Sequence, residues 1–335
     1  MPGMTATDLQ PGARNAIRVC LNVQPSERVT VVTDEACAHI ADALVREIDD
    51  AGARAHVFVL EALAPRPLAG LPASIAEDLE HSSVSILAAH AQTNELSSRI
   101  QLTDIVNRRR IRHAHMVNIT DQIMCQGMRA DFQLVDRLST KVIDTVRPAR
   151  TIRATTPAGT DLHATLDPNY RWIKTSGLIS PDKWGNLPGG EIFTTPGNVN
   201  GTFVIDGVVG DWLCARYGNL KDSPLTIEIE GSRLVEARSD NARLRDDFWE
   251  YTHTDENSDR VGEFAIGTNV GLTGVIGNIL QDEKLPGVHI AFGNPYGAHT
   301  GATWWSSTHI DVVGTEFDIW VDDEQIMNRG RFLIA

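Results

Sequence analysis

Five residues between positions 191 and 311 have the types and settings that metal chemistry requires: Glu191, Glu263, His289, His309 and Asp311. Each lies in a short, apolar, glycine-flanked stretch that is typical of a strand. Two imidazoles and three carboxylates are a ligand set for one or two divalent metal ions. The chemistry that this set predicts is hydrolysis by a water molecule whose pKa the metal lowers.

His309 and Asp311 have the clearest local reason to act together. Only Ile310 separates them, and the neighbouring Ser, Thr and Val residues favour a strand. Successive side chains of a strand point to opposite faces, so His309 and Asp311 share a face and could bind one metal ion. A strand with an ordinary polar, solvent-facing side explains the same tripeptide equally well.

The other three candidates are weak signals when each is taken alone. His289 lies in an apolar run, where a hydrogen-bonded core histidine is the commoner role. Glu263 lies in a similar run, and a buried carboxylate needs a cation or a metal ion as its partner. Glu191 follows Gly189-Gly190, which is typical of a tight turn at the start of a strand.

The elements that position these residues fall into two halves. In the N-terminal half, strands are predicted at 29–33, 54–60, 84–88 and 116–119, with a helix from Cys37 to Ala51. This alternation predicts a parallel sheet covered by helices, which is Rossmann-like in architecture. Because the first strand leads into Thr33-Asp34-Glu35 rather than a glycine-rich phosphate loop, no nucleotide cofactor is expected.

The pattern changes near residue 148. A helix predicted at 132–145 is followed by strands at 151–155 and 161–166, and then by short alternating strands separated by Gly, Asn and Asp turns. We therefore expect an α/β protein of two domains. Residues 1–148 form a Rossmann-like α/β domain, and residues 149–335 form a β-rich α+β domain that binds the metal and carries the catalytic site.

Composition limits the partners and the location of the protein. The 335 residues suffice for two cores, and a formal net charge of −14 disfavours binding to nucleic acid. No stretch approaches the roughly 18 apolar residues of a membrane helix, and the N-terminus lacks a signal-peptide pattern. Four widely separated cysteines indicate buried thiols in a reducing compartment. We expect a cytoplasmic protein that binds neither nucleic acid nor membrane.

The candidate residues belong to an ordered series of motifs: 186–196, 262–265, 282–284, 289–293, Tyr296 and 307–311. This series resembles the signature motifs of the aminopeptidase T/S family of metallopeptidases over roughly residues 180–315. The resemblance implies a homodimer in which two divalent metal ions, bridged by a carboxylate, are bound by Glu191, Glu263, His289, His309 and Asp311. It also places Tyr296 at the metal centre, where a phenol can stabilise an oxyanion.

The implied reaction is hydrolysis of a peptide, a small amide or another C–N bond. Glu191 or Glu263 accepts the proton of the attacking water, and the two are equal candidates. The ligand set accepts zinc, cobalt, manganese or iron. The substrate stays open between a peptide and a small molecule, because the short segment before His309 contains Trp304 and Trp305, which suit either a flat aromatic substrate or the core.

Two other functions compete with this hypothesis. The related 2,5-dihydroxypyridine 5,6-dioxygenases use one ferrous ion, which His289, His309 and Asp311 could bind as a two-histidine, one-carboxylate triad on an aromatic substrate. In those enzymes a histidine replaces Glu263 and the Gly-Gly-Glu glutamate is absent, so the two glutamates of this chain favour the hydrolase. A non-enzymatic binding protein is disfavoured, because structural metal sites are usually closed by Cys and His.

Overall fold

The computed structural model of the protein describes residues 6–334, with side chains from residue 8 onward. Helices α1 to α11 span Ala6–Arg14, Ala38–Asp50, Leu60–Leu63, Ala73–Leu79, Leu96–Arg109, Asp121–Cys125, Phe132–Val146, Asp211–Tyr217, Ala242–Tyr251, Ile279–Asp282 and Gly297–Thr300. Strands β1 to β18 span Arg28–Thr33, Arg54–Val59, Val84–Ala88, Arg112–His115, Thr151–Thr155, Asp161–Thr165, Ile173–Thr175, Gly185–Asn186, Glu191–Thr194, Asn198–Ile205, Leu225–Glu230, Arg233–Arg238, Val261–Gly267, Gly287–Gly293, His309–Val313, Asp318–Val321, Glu324–Asn328 and Arg331–Phe332. Between residues 6 and 334, no helix is both long and apolar enough to cross a membrane.

The first compact unit contains the described residues up to Gln133 together with Gly177–Gly189. Its sheet is parallel and has the strand order β2-β1-β3-β4-β8. Strands β1 and β3 are buried along almost their whole length, as expected for a parallel sheet with helices on both faces. The α/β class with a parallel N-terminal sheet is therefore confirmed.

One strand of this sheet was predicted wrongly. The sequence suggested a strand at 116–119, but β4 occupies Arg112–His115 and so begins at the last residue of the arginine-rich run 108–112. Helix α5 extends through Arg109 and ends at Arg110, which has a left-handed conformation (φ 56°). The turn between α5 and β4 is therefore shorter than expected, and the strand begins earlier in the chain. Asn118 also has a positive φ of 61°, which interrupts extended backbone.

The second unit contains Leu134–Ser176 and the described residues from Gly190 onward. It holds two antiparallel sheets, one of eight strands in the order β12-β11-β10-β6-β5-β16-β17-β18 and one of five in the order β15-β14-β13-β9-β7. Most of α7 belongs to this unit because Leu138, Val142 and Val146 pack into its core. The two compact units therefore divide within the first turn of α7, between Gln133 and Leu134, and the predicted domain boundary near residue 148 stays a prediction.

The antiparallel five-stranded sheet of the second unit has one apolar face and one face that carries polar side chains. The apolar face joins the main core of the unit through Ile192, Phe264, Ile266, Val288, Ile290, Phe292, Ile310 and Val312. These residues alternate along their strands with the polar candidates, as the two-residue period of a strand requires. Burying the apolar face fixes the register, because a slip of one residue would exchange the two faces.

Strand β15 forms one edge of this sheet, and the chain covers that edge. The amides of Gly207 and Gly210 donate to the carbonyls of Val313 and Asp311, at 3.0 and 2.7 Å, and the amide of Val313 donates to Val208 at 3.0 Å. Residues 207–210 thus pair with backbone groups that an edge strand would otherwise leave exposed.

Candidate metal centre

The register of the five-stranded sheet places all five predicted ligands on one face. Residues that lie directly opposite each other in antiparallel strands share a face. Ala291 lies opposite both Asp311 and Glu263, and His289, two residues earlier on the same strand, lies opposite Ala265. Glu191 lies opposite Gly267, and His309 lies opposite Gly293. Four neighbouring strands therefore bring together residues that are up to 120 positions apart in the chain.

Small residues occupy the positions between these ligands. They are Ala265, Gly267, Ala291 and Gly293, which share the polar face of the sheet. Larger side chains there would fill the volume above the sheet into which the imidazoles and carboxylates extend. The site forms because polar residues alternate with Gly or Ala on one face of the sheet, while the opposite face carries apolar residues.

Glu191 enters the site from a constrained turn. Gly190 has φ +128°, and a Cβ at this position would lie 2.6 Å from the Cβ of Asn269, so only glycine fits. One carboxylate oxygen of Glu191, Oε1, accepts hydrogen bonds from Thr175 Oγ1 at 2.9 Å and from Lys284 Nζ at 2.6 Å. The other oxygen, Oε2, faces His289.

The ligand atoms form overlapping groups around Glu263. His289 Nε2 lies 3.4 Å from Glu191 Oε2 and 3.5 Å from Glu263 Oε1. His309 Nε2 lies 3.9 Å from Glu263 Oε2 and 3.4 Å from Asp311 Oδ1. Glu263 thus directs one oxygen toward a group with Glu191 and His289 and the other toward a group with His309 and Asp311. In each group the ligand atoms lie within 4.8 Å of one another.

The arrangement fits divalent metal ions on two grounds. The Nε2 atom of His289 is buried and makes no hydrogen bond, although a buried polar atom ordinarily has a partner. Four carboxylates, those of Glu191, Glu263, Glu283 and Asp311, lie in the site with a single ammonium group, Lys284, which is 1% exposed. Against the effect of burial, Asp311 and Glu263 raise the pKa of His309 to about 10, so the site attracts positive charge, which a divalent ion would supply in place of protons.

A second contact orients His309 for metal binding. Its Nδ1 lies 2.9 Å from the carbonyl oxygen of Asn294, so Nδ1 carries the proton and donates it. This leaves Nε2, which faces Glu263 and Asp311, as the atom with a free lone pair. Histidines that bind metals are commonly fixed in this way by a carbonyl or carboxylate on the other ring nitrogen.

Comparison with known proteins identifies the family. The family model described as thermophilic metalloprotease (M29) matches residues 137–321, which is more than half of the chain and includes all five ligands. The chain belongs to the M29 family of metallopeptidases. It is therefore a metal-dependent, aminopeptidase-like hydrolase, and the predicted resemblance is confirmed. No protein of curated function matches the sequence significantly.

Two solved structures resemble this M29 protein along their whole length. The 2,5-dihydroxypyridine dioxygenase from Pseudomonas putida KT2440 has a TM-score of 0.72 at 14% identity, covering 99% of both chains. AmpT from Thermus thermophilus has a TM-score of 0.69 at 18% identity, covering 98% of this chain and 99% of its own. At these identities both comparisons establish the shared fold alone.

The iron triad considered for the dioxygenase alternative does not form a compact group in the M29 protein. Among residues 6–334, no group of ligand atoms within 4.8 Å of one another contains both imidazoles and Asp311. His309 groups with Glu263 and Asp311, whereas His289 groups with Glu191 and Glu263 and, separately, with Glu283 and Asp311. The geometry therefore favours the carboxylate-rich site of a hydrolase.

Two residues of the site had been assigned no role from the sequence. Lys284 pairs with Glu191 and with Glu283, and Glu283 forms a further group with His289 and Asp311. Both follow helix α10 in a loop rather than in a strand, so no two-residue period points to them. The available signal was an acid-acid-base run, Asp282-Glu283-Lys284, in an otherwise apolar stretch.

The two glutamates proposed as alternative bases differ in their surroundings. Burial alone would raise the pKa of Glu191, but Lys284 and His289 outweigh this effect and hold that pKa below its usual range. Burial raises the pKa of Glu263, and the neighbouring imidazoles only partly oppose it. Glu191 is therefore the more firmly ionised of the two.

Tyr296 and the two tryptophans lie at different depths. The ring of Tyr296 contacts that of His309 at a tilt of 43°, with centroids 4.4 Å apart, and 43% of the residue is exposed. Trp304 packs against the guanidinium of Arg260 at 3.6 Å, whereas Trp305 is largely exposed. Tyr296 is thus the aromatic residue in direct contact with a candidate ligand.

Proposed function

We propose that the second unit is the catalytic domain of a two-metal aminopeptidase-like enzyme, and that the first unit is a Rossmann-like domain without a nucleotide cofactor. The observation that supports this proposal best is the position of Glu263, whose two oxygens face two separate ligand groups. A carboxylate with this placement is suited to bridge two cations.

The proposed ligands divide between two positions. Glu191, His289 and Glu263 would hold one ion, and His309, Asp311 and Glu263 would hold the other. Bound divalent ions would polarise the scissile carbonyl and lower the pKa of water toward neutrality. The oxygen and nitrogen ligands suit zinc, cobalt, manganese or iron.

Glu283 is the carboxylate best placed to accept the proton of the attacking water. Glu263 would serve as the bridge, and both oxygens of Glu191 have partners, Lys284 and Thr175 at Oε1 and His289 at Oε2, whereas Glu283 pairs with Lys284 through one oxygen. Burial raises the pKa of Glu283 to about 8, against the effect of Lys284. A general base works best when its pKa lies near the working pH. This assignment replaces the choice between Glu191 and Glu263.

Tyr296 is proposed to stabilise the oxyanion of the tetrahedral intermediate. Its ring contacts His309, and its partial exposure leaves the phenol accessible to a substrate. A hydroxyl donor aimed at developing negative charge contributes to catalysis only when it is held in place, and the left-handed backbone of Tyr296 (φ 48°) at the start of α11 fixes its position.

The central experiment is Glu263→Gln, with Glu324→Gln as a surface control. Metal content by elemental analysis and hydrolysis of amino-acid amides and short peptides are measured on the same samples. The wild type should retain about two ions per chain. Glu263→Gln should lose metal together with activity, because the neutral amide of glutamine replaces a charged carboxylate that faces both ion positions. Full metal content in Glu263→Gln would contradict the bridge.

The proposed partners follow from the same site. A peptide or a small amide is the expected substrate, and neither nucleic acid nor membrane is an expected partner of this acidic, proposed cytoplasmic protein. The homodimer also remains a proposal, and light scattering coupled to size exclusion tests it.

A further inference from the structure

A second group of metal-ligating side chains lies in the first unit, at the carboxyl edge of its parallel sheet. Asp34 follows β1, His90 follows β3, and Cys37 lies at the start of α2. The chain order of the sheet reverses between β1 and β3, since β2 lies on one side of β1 and β3 on the other. In sheets of this kind, ligands bind outside the carboxyl ends of the strands at that reversal.

The distances within this group match those between ligands of one tetrahedral ion. Cys37 Sγ lies 3.6 Å from His90 Nδ1, and His90 Nδ1 lies 3.4 Å from Asp34 Oδ2. With metal–sulfur distances of about 2.3 Å and metal–nitrogen or metal–oxygen distances of about 2.0–2.1 Å, a tetrahedron places sulfur and nitrogen about 3.6 Å apart and nitrogen and oxygen about 3.4 Å apart. All three ligand atoms lie within 4.8 Å of one another.

Asp34 holds the other two residues in place through their backbones. Its Oδ1 accepts the amide hydrogen of Cys37 at 2.7 Å, and its Oδ2 accepts that of His90 at 2.7 Å. Asp34 and Cys37 are buried, whereas the His90 side chain is 45% exposed. The group is therefore ordered before an ion arrives, and the exposed imidazole leaves a side open to solvent.

The charges around the group favour a cation. Arg66 lies 3.2 Å from Asp34 Oδ2, but it also pairs with Glu95 through two nitrogens and with Glu61. Three carboxylates thus surround one guanidinium, and Arg66 keeps two acidic partners if Oδ2 of Asp34 turns to an ion. Asp34, Glu95 and Arg66 are all largely buried, so the excess negative charge is poorly solvated.

We propose that Asp34 Oδ2, Cys37 Sγ and His90 Nδ1 form a second metal site, which binds zinc or a similar borderline divalent ion with water in the fourth position. One sulfur, one nitrogen and one oxygen ligand match the preference of zinc. On binding, the Cys37 thiol loses its proton to solvent and the thiolate sulfur donates its electron pair to the ion. The site ties the loops after β1 and β3 together.

Cobalt(II) binding to the full-length protein tests the proposal, because thiolate ligation to cobalt gives a near-ultraviolet charge-transfer absorption. The proposed catalytic ligands contain only oxygen and nitrogen, so this absorption reports a cysteine alone. Its outcome is independent of the two-metal centre. The wild type, reduced and kept free of oxygen, should show the band, and added zinc should remove it.

Three variants complete the test. Cys37→Ser should lose the band and about one zinc ion per chain, while Cys214→Ser, which changes another buried thiol whose nearest acceptor is the Gly277 carbonyl, should keep both. His90→Asn changes an exposed side chain, so it should fold and should weaken zinc binding markedly. A wild-type protein without the band, or a band that persists in Cys37→Ser, would overturn the proposal and leave Asp34 as a hydrogen-bonding residue of the loops.

Discussion

The two sheets that carry metal-ligating side chains use different parts of their strands. In the antiparallel sheet of the second unit, Glu263, His289 and Asp311 lie within strands, because one face of that sheet is apolar core and the other is free to hold polar groups. In the parallel sheet of the first unit both faces are buried, and Asp34 and His90 lie beyond the strand ends. Strands β13 and β14 are buried on both faces as well, so the two sheets differ in what fills the second face, which in the antiparallel sheet holds small and polar residues.

The two groups also differ in how their charge is neutralised. In the first unit, Arg66 and Arg28 pair with buried acids. In the second, four carboxylates share one lysine, burial raises the pKa of Glu283 to about 8, and Asp311 and Glu263 raise the pKa of His309 to about 10 against the effect of burial. The predictions below test this contrast between an antiparallel site in which four carboxylates share one ammonium group and a parallel sheet whose buried acids pair with arginine.

The largest expected effect is that of Glu283→Gln on catalysis. If Glu283 accepts the proton of the attacking water, the substitution should lower kcat by about 10²–10⁴-fold while both ions stay bound. Steady-state kinetics with elemental analysis would measure this, with the exposed Glu250→Gln as control. Loss of an ion together with activity would instead make Glu283 a ligand, through its group with His289 and Asp311.

The next effect concerns Lys284, whose ammonium group lies within the carboxylate cluster of the second unit. Lys284→Met should destabilise the metal-free protein by about 3–5 kcal/mol, because Glu191 and Glu283 lose their buried partner. The loss should be smaller in the metal-loaded protein, where ions neutralise the same carboxylates. Urea unfolding with and without metal measures both values.

Lys174→Met is the matched control for this substitution. Lys174 pairs with Asp136, but both side chains are partly exposed, so its removal should cost less than about 1 kcal/mol. Equal destabilisation by the two substitutions would show that burial and charge crowding around Lys284 are unimportant.

Substitutions on the two faces of the antiparallel sheet should have separate effects, on stability for the apolar face and on metal binding for the polar face. Ile290→Ala should cost about 2–5 kcal/mol of stability by opening a cavity in the core, with little change in metal content of the folded protein. Ala265→Val adds bulk opposite His289 and should weaken metal binding by about 10–100-fold, comparable to changes in residues that support ligands. Thermal unfolding and metal titration of both variants distinguish the two losses. A loss of metal on Ile290→Ala alone would contradict this division.

The smallest effect is a pH dependence in the first unit. Burial alone would raise the pKa of Asp78, but hydrogen bonds from Arg28 and Thr30 outweigh it and hold the pKa below its usual range. Because the folded pKa is below the unfolded value of about 3.9, this stabilisation is present above pH 4 and is lost as the pH falls through the folded pKa.

Asp78→Asn should therefore lower the free energy of unfolding by about 1–3 kcal/mol at pH 7. The decrease in stability between pH 7 and pH 3 should be smaller in this variant than in the wild type. Denaturant unfolding between pH 3 and pH 7 measures this. If the decrease in stability at acidic pH were the same in the variant and the wild type, Asp78 would have the same pKa in the folded and unfolded protein.

Much of the site followed from local sequence, and the rest depended on pairing between distant segments. The two-residue period correctly places His309 and Asp311 on one face of β15. No local pattern indicates that Ala291 lies between Asp311 and Glu263, because that depends on a register across three strands. The register is set by the opposite, apolar face, whose partners lie elsewhere in the core.

Other features were beyond sequence reasoning for the same reason. Glu283 and Lys284 reach the site from a loop, so no periodicity marks them. Cys37 and His90 are 53 positions apart and meet only because β1 and β3 are neighbours. The short strand β4 was misplaced because the conformation of Arg110, rather than the arginine run itself, determines where α5 ends.

The covered edge of β15 has a consequence for assembly. The strand that carries His309 and Asp311 would otherwise offer a row of free amides and carbonyls to the same strand of another molecule. Residues 207–210 already bind these groups, so two molecules cannot join through a continuous sheet there. Self-association would have to use other surfaces, and the strand that carries His309 and Asp311 is protected from the intermolecular β-pairing that leads to aggregation.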